Sequence, residues 1–256
     1  MANRPPGRII GVSTPQPGCR DCHLRQRCLP HGLHDNDLQL LDDIIKPYRT
    51  IRKGEVLYRT GDPLRALYAV RRGMFKTTSV TEDGRVHVTG FFLPSEVLGF
   101  DAITSQRHHC TAEALETSDI CEIPFERLEA LAHRIPGLQH QLFAVMSHEI
   151  QADEDMLVIL GRMTAEERLA TFLVSFSHRQ AALGLSDIDL NLVMSRQDIG
   201  HYLGLALETV SRLLSRFQEQ GLIEIIGRQI RLLDRNRVEA IAQSGTVEAV
   251  HGRHEV

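Results

Sequence analysis

No apolar run in this chain of 256 residues approaches the roughly 20 residues that a membrane-spanning helix needs. The first residues, Met1-Ala2-Asn3-Arg4-Pro5-Pro6, lack the hydrophobic centre of a secretory signal. The expected location is therefore the cytoplasm, with no membrane partner. Lysine is scarce: Lys46, Lys53 and Lys76 are the three among 29 basic residues, and the net charge is −4. No global basic field announces a nucleic-acid partner, so any such contact must be local. Also absent are a nucleophile–base set, a Gly-rich phosphate loop and a His-Glu metalloprotease motif, and no enzymatic activity is expected. Five cysteines are too few for a disulfide framework in a cytosolic chain of this length and suit metal or redox chemistry instead.

What is present is a soluble, globular composition, 42% apolar and 24% charged, with those five cysteines unevenly spread. Cys19, Cys22 and Cys28 fall within ten residues, while Cys110 and Cys121 lie far downstream. Thiolates this close can share one soft metal centre, and a fourth ligand must then come from elsewhere in the fold. Spacing leaves both Cys110 and Cys121 open for that place. Arg4, Arg8, Arg20, Arg25 and Arg27 stand around the run against Asp21 alone, and cations favour the thiolate form. A zinc site using the same cysteines, with His23, His31 or His34 as substitutes, is the competing reading. An electron-transfer iron–sulfur protein is another.

Residues 1–34 read as a cysteine-rich arm with a Pro- and Gly-rich lead-in. Apolar spacing through Leu38, Leu41, Ile44 and Ile45 predicts a helix over residues 35–46, stopped by Pro47. From about residue 49 to 124, short apolar stretches alternate with glycine turns about every ten residues, which indicates an antiparallel sandwich or barrel. A short helix over 125–133 and a break at Pro136 close a unit spanning 35–136. A long helix over 137–161 follows. Its seam runs through Leu142, Met146, Ile150, Asp153, Leu157 and Leu160, and a seam on one helix suits a second copy of itself in a twofold dimer. Asp153 is the anomaly there, because two like charges meeting across a twofold cost desolvation energy and weaken the dimer. Residues 161–164 read as the hinge, and Thr164-Ala165-Glu166-Glu167 as a capping box opening the next helix.

Residues 162–244 read as a winged helix-turn-helix domain, and 245–256 as a loose tail. Ser195-Arg196-Gln197-Asp198 caps a short helix, Gly204-Leu205-Ala206 makes a tight turn, and a second helix runs from 207 to about 220. Val210, Leu213, Leu214 and Phe217 share its core-facing side. Glu208, Ser211 and Arg212 share another side near the N-terminus, where a recognition helix offers side chains to the major groove. Arginine can fork onto guanine, glutamate can accept from cytosine, and serine can serve either. Two apolar runs flanking Gly227-Arg228 predict the wing, with Arg216, Arg228 and Arg231 as candidate phosphate contacts. Over 194–237 the balance is seven arginines against five acids, a modest excess.

The Cys-x2-Cys-x5-Cys run, the segment from Ala114 through Cys121 to Phe125, and the stretches Asp198–Leu205 and Glu208–Arg212 carry a resemblance. The chain from Cys19 to about residue 243 resembles the cyclic-AMP receptor protein/FNR superfamily of bacterial transcription regulators, and within it the FNR/Anr type. The resemblance implies an α+β architecture: an N-terminal antiparallel β-roll of the cupin-like jelly-roll kind as sensor domain, a long dimerisation helix and a C-terminal winged helix-turn-helix. It implies a 4Fe–4S cluster on Cys19, Cys22, Cys28 and Cys121, leaving Cys110 outside the ligand set. It further implies that oxygen converts the cluster to a 2Fe–2S form and weakens a homodimer that otherwise activates transcription from an inverted TTGAT-like repeat in double-stranded DNA. Glu208, Ser211 and Arg212 match the base readers of the family; Ile150 and Asp153 match its dimer seam. RNA polymerase is an implied partner, through loops such as residues 81–84. Two departures stand out. The Arg-Ser pair that the cyclic-nucleotide branch uses for phosphate is missing from Arg107-His108-His109-Cys110-Thr111-Ala112, so no cyclic nucleotide is expected. Arg27 beside Cys28 replaces an apolar residue, which bears on how readily oxygen reaches the centre.

Overall fold

The computed structural model describes residues 18–244; the sequence readings on residues 1–17, including Arg4 and Arg8, and on the tail 245–256 lie outside them. Eight strands build the first unit: β1 (Lys46–Ile51), β2 (Val56–Tyr58), β3 (Ala66–Arg72), β4 (Phe75–Val80), β5 (Val86–Phe92), β6 (Val97–Leu98), β7 (Thr111–Ala114) and β8 (Ser118–Pro124). They form two four-stranded antiparallel sheets, ordered β1-β8-β3-β6 and β2-β7-β4-β5. The alternating texture indicates an antiparallel sandwich or barrel, and the strands form the β-roll that the resemblance implies. Between the sheets lie Ile51, Tyr58, Tyr68, Val70, Phe75 and Ile120.

Strand β3 is apolar along almost its whole length because both of its faces are covered. Ala66, Tyr68 and Val70 point into the roll. Leu67 and Ala69 point outward, where they join Leu29 and Leu33 of the arm and Leu38 and Leu41 of α1 (Asp35–Asp42). The same outer core takes in Leu128 of α2 (Phe125–Ala132) and Leu138 at the start of α3 (Pro136–Arg162).

Several boundaries differ from the sequence reading. Helix α1 ends at Asp42, and Pro47 lies inside β1 rather than after a helix. It is tolerated there because β1 is an edge strand with a register irregularity between Lys46 and Arg49. Pro136 opens α3 at its first turn, where a missing N–H costs nothing. Helix α3 runs on through Gly161 and Arg162, so the joint shrinks to Met163 and Thr164. Leu142 packs against the outer core of the roll. In its place Phe143 is 57% exposed, and Ile150 and Leu157, each seven residues on, are 59% and 72% exposed.

The C-terminal unit comprises α4 (Ala165–Ala182), β9 (Asp189–Asn191), α5 (Arg196–Leu203), α6 (Leu207–Glu219), β10 (Ile223–Ile226), β11 (Gln229–Leu232) and α7 (Arg235–Gln243). Both expected capping boxes are closed, Thr164 with Glu167 and Ser195 with Asp198. Strand β9 and helix α7 escaped the sequence reading. The first completes a three-stranded wing sheet ordered β10-β11-β9, and the second packs on α4. The core of this unit is continuous with Met74, Val88, Phe91, Leu93 and Leu115 of the roll.

Candidate metal centre and nucleic-acid interface

The arm folds as successive turns. A 3-10 turn spans Cys19–Asp21, the Cys22 N–H bonds the Cys19 carbonyl at 3.3 Å, and the Cys28 N–H bonds that of Leu24 at 3.0 Å. Leu24, Leu29 and Leu33 are buried and fasten the arm to the body, at roughly 1.5–3 kcal/mol for each such side chain. Its beginning is fixed by Asp42 of α1, whose Oδ1 accepts the Cys19 N–H at 2.6 Å. Arg25 is tied to Asp35 at 3.2 Å.

The fourth candidate ligand comes from β8. Its register pairs Cys121 with Ala69 of β3, whose side chain points to the outer face, so Cys121 meets the arm rather than the roll interior. Cys19, Cys22, Cys28 and Cys121, all half-buried and none in a disulfide, line one cavity of about 610 Å³. Burial pushes the Cys28 thiol up to about 12 and holds Cys19 and Cys121 above the ordinary thiol range. Next to burial, the carboxylate of Asp42 raises Cys19 further, while the Arg71 guanidinium pulls Cys121 back. Ligation of a metal needs the thiolate form, so binding there must displace protons that burial favours.

No three Cys, His, Asp or Glu side chains among the described residues converge tightly enough to hold a single ion. Four cysteine sulfurs lining one cavity are the donor set that an iron–sulfur cluster takes. The same four-sulfur set is also one that a tetrahedral zinc takes. His23, His31 and His34 are exposed and outside the cavity lining, as is Arg27; the lining arginines are Arg25 and Arg71.

Cys110 is elsewhere. It is buried inside the roll, its Sγ 3.4 Å from Asp101 Oδ2 and 4.0 Å from the Tyr58 hydroxyl. His108 is 3% exposed, stacks on Tyr58 with ring centroids 3.7 Å apart and pairs through Nδ1 with Asp101 at 3.2 Å. Burial pushes the Asp101 carboxyl up, but hydrogen bonds from His108 and the His109 N–H outweigh it and hold it low. Arg107 donates to the Gly61 carbonyl at 2.7 Å.

The helix-turn-helix is built from α5 and α6. Gly204 turns the chain at φ +64°, and a Cβ on Gly200 would stand 2.6 Å from the Leu205 carbonyl oxygen, so the turn packs backbone against helix. Val210, Leu214 and Phe217 are buried. Glu208 and Arg212 are exposed and Ser211 half-buried on the other side of α6. The candidate phosphate contacts are partly engaged: Arg216 of α6 pairs with Glu166 at 3.0 Å and Arg231 of β11 with Asp189 at 2.7 Å, while Arg228 is exposed.

This unit is docked on the β-roll through contacts that the sequence reading missed. Lys76 of β4 reaches Asp198 of α5 at 2.8 Å, and Arg179 of α4 pairs with Glu96 at 2.6 Å and donates to the Phe91 carbonyl. Phe91 lies 5.1 Å from the Tyr202 ring and 6.1 Å from that of Phe172. No local motif marks such pairs. Arg71 was also missed: it sits at the register irregularity between Val70 and Arg72 of β3 and lines the cavity with Cys121.

Two family models match the chain: a cyclic nucleotide-binding domain over residues 48–134 and a Crp-like helix-turn-helix domain over residues 167–241. The transcriptional activator protein anr of Pseudomonas aeruginosa is 47% identical over 228 residues, covering 89% of this chain and 93% of that protein. The fumarate and nitrate reduction regulatory protein of Salmonella typhimurium is 45% identical over 224 residues, covering 88% and 90%. Among solved structures, FixK2 from Bradyrhizobium japonicum superimposes with a TM-score of 0.70 at 36% identity, covering 76% of this chain and 96% of that one. With its β-roll, long helix and helix-turn-helix, the chain belongs to the FNR/Anr family of transcription regulators.

Proposed function

We propose that this protein is an oxygen-responsive, DNA-binding transcription activator of the cytoplasm. It acts as a homodimer that holds a 4Fe–4S cluster on Cys19, Cys22, Cys28 and Cys121. The observation that carries this reading is the single cavity shared by three cysteines of the arm and one of β8. The bound cluster supplies a centre that oxygen destroys; everything else is done by the chain. The four thiolates clip the arm to β8. Leu33 of the clipped arm packs in one core with Leu138 of α3, so the position of the arm bears on the dimer helix. Met146, Ile150, Asp153, Leu157 and Leu160, with Phe143 one heptad before Ile150, form the face offered to a second copy. Asp153 keeps that association weak, so that losing the clip separates the protomers.

In the dimer, Glu208, Ser211 and Arg212 of each protomer read one half of an inverted TTGAT-like repeat. The hairpin tip at residues 81–84, flanked by Val80 and Val86 at 63% and 43% exposure, is offered to RNA polymerase. No cyclic nucleotide is an effector: the segment that would bind its phosphate carries His108, already stacked on Tyr58 and paired with Asp101 inside the roll.

Anaerobic purification tests the reading. The expected product is a brown dimer with iron and sulfide in equal amounts, bleached and dissociated by air. It should bind the inverted repeat only before bleaching. Cys121→Ser should abolish the colour and Cys110→Ser leave it intact. A colourless protein holding stoichiometric zinc would overturn the reading.

A further inference from the structure

We propose that Arg71 is the positioning residue of the candidate centre: it clamps the Cys121 sulfur and sets the reduction potential of the cluster. This rests on the cluster reading above. Arg71 lies on β3 two residues beyond Ala69, which faces Cys121 across the β3–β8 ladder, and both Arg71 and Cys121 line the cavity. Its positive charge acts on the Cys121 thiol, drawing it down against the effect of burial. The other side of that planar cation is supported by the ring of Tyr48, 4.8 Å from the ring centroid to the guanidinium carbon. Tyr48 belongs to β1, the strand flanking β8 on its far side, so strands on both flanks of Cys121 fix the cation at its sulfur.

The remaining cations near the cavity are committed elsewhere. Arg25 is bound to Asp35, and Lys46 and Arg49 are bound to Glu122. At the opposite end the carboxylate of Asp42 stands against Cys19. The four-sulfur set is therefore polarised, with a fixed cation at the β8 ligand and a fixed anion at the first arm ligand. Hydrogen bonds and positive charge at a ligating sulfur favour the electron-rich state of a cluster and raise its potential. Arginine suits this place because it never loses its charge and stacks flat on an aromatic ring, which lysine does not.

The test uses the full chain, reconstituted anaerobically as wild type, Arg71→Gln, Arg71→Lys, Tyr48→Phe and Tyr48→Leu. Redox titration followed by visible absorption gives the potential, and a ferrous chelator gives cluster retention. Arg71→Gln should lower the potential and weaken retention by roughly tenfold or more. Arg71→Lys should shift the potential less, Tyr48→Leu should shift it in the same direction, and Tyr48→Phe should leave it at the wild-type value. A merely structural role would change retention without moving the potential. If Arg71→Gln takes up no cluster while its apoprotein is folded by circular dichroism, the clamp is supported and Arg71→Lys supplies the potential. A wild-type chain that takes up no iron and sulfide overturns the cluster reading, and this proposal with it. A loaded wild type whose potential and retention are matched by Arg71→Gln overturns this proposal alone.

Discussion

Replacing Phe91 with alanine should uncouple the DNA-reading unit from the β-roll. Phe91 sits on β5, an edge strand of its sheet, yet is only 4% exposed, because it is covered by the C-terminal unit. Its rings of contact are Tyr202 of α5 at 5.1 Å and Phe172 of α4 at 6.1 Å. Truncating a buried phenylalanine costs about 3–5 kcal/mol, and each aromatic pair contributes about 0.5–1.5 kcal/mol of that beyond its buried area. At about 2–4 °C per kcal/mol for a chain of this size, the unfolding midpoint should fall by roughly 6–20 °C. Phe176→Ala is the matched control. Phe176 is 2% exposed and stacks on Phe172 within α4, so its truncation removes a similar volume while leaving both ring pairs of Phe91 in place. The chain has no tryptophan, so calorimetry is the assay of choice. The apoprotein and Phe176→Ala should each unfold in one transition, and Phe91→Ala in two. A single transition for Phe91→Ala, lowered as much as in Phe176→Ala, would refute the idea that Phe91 couples the units.

Arg212→Ala should lose discrimination at one base pair of each half-site, at about 1–3 kcal/mol; competition with substituted sites checks this, and a uniform loss over all sequences would make Arg212 a phosphate contact. Asp153→Ala should tighten the dimer of the cluster-free protein, read by analytical ultracentrifugation, and an unchanged association constant would remove Asp153 from the interface. Burial, and next to it the charge of Glu96, pushes the carboxyl of Glu149 up to about 7, against the partial relief of His148 and Arg179 and the added repulsion of Asp153. Its folded value thus lies above the ordinary 4.5. The stability it contributes is complete below about 4.5 and lost as pH rises through 7. The midpoint should therefore fall as pH rises from about 4.5 to 7, and do so less in Glu149→Gln; equal slopes in both proteins would show that Glu149 is not the titrating group.

Much of the fold was legible because local chemistry states it. The caps at Thr164 and Ser195, the turn at Gly204 and the wing hairpin all depend on neighbours in sequence, and each is present. What failed depends on the distant chain. Leu142 and Phe143 both fit a helical seam by spacing, and only packing of the roll against α3 decides that Leu142 turns inward. Gly161 looks like a hinge by type but remains helical, since Arg168 holds the end of α3 through the carbonyls of Leu160 and Met163. For the candidate centre, the arm cysteines stand out by spacing, whereas spacing does not show that Cys121 of β8 meets the outer core while Cys110, just before β7, is buried inside the roll. The groups around them, Asp42, Tyr48 and Arg71, come from three different elements and carry no motif.

Asp198 serves two partners at once, Ser195 in its own helix cap and Lys76 across the joint. The cap bonds are local, so they survive when Lys76 leaves. The helix that begins the DNA-reading motif therefore needs no refolding when the units part. An opening of this kind belongs to the microsecond-to-millisecond range of rigid-body domain motion rather than to the slower range of unfolding. Under the function proposed above, the chemistry at the arm and not the mechanics of the joint then sets the response time.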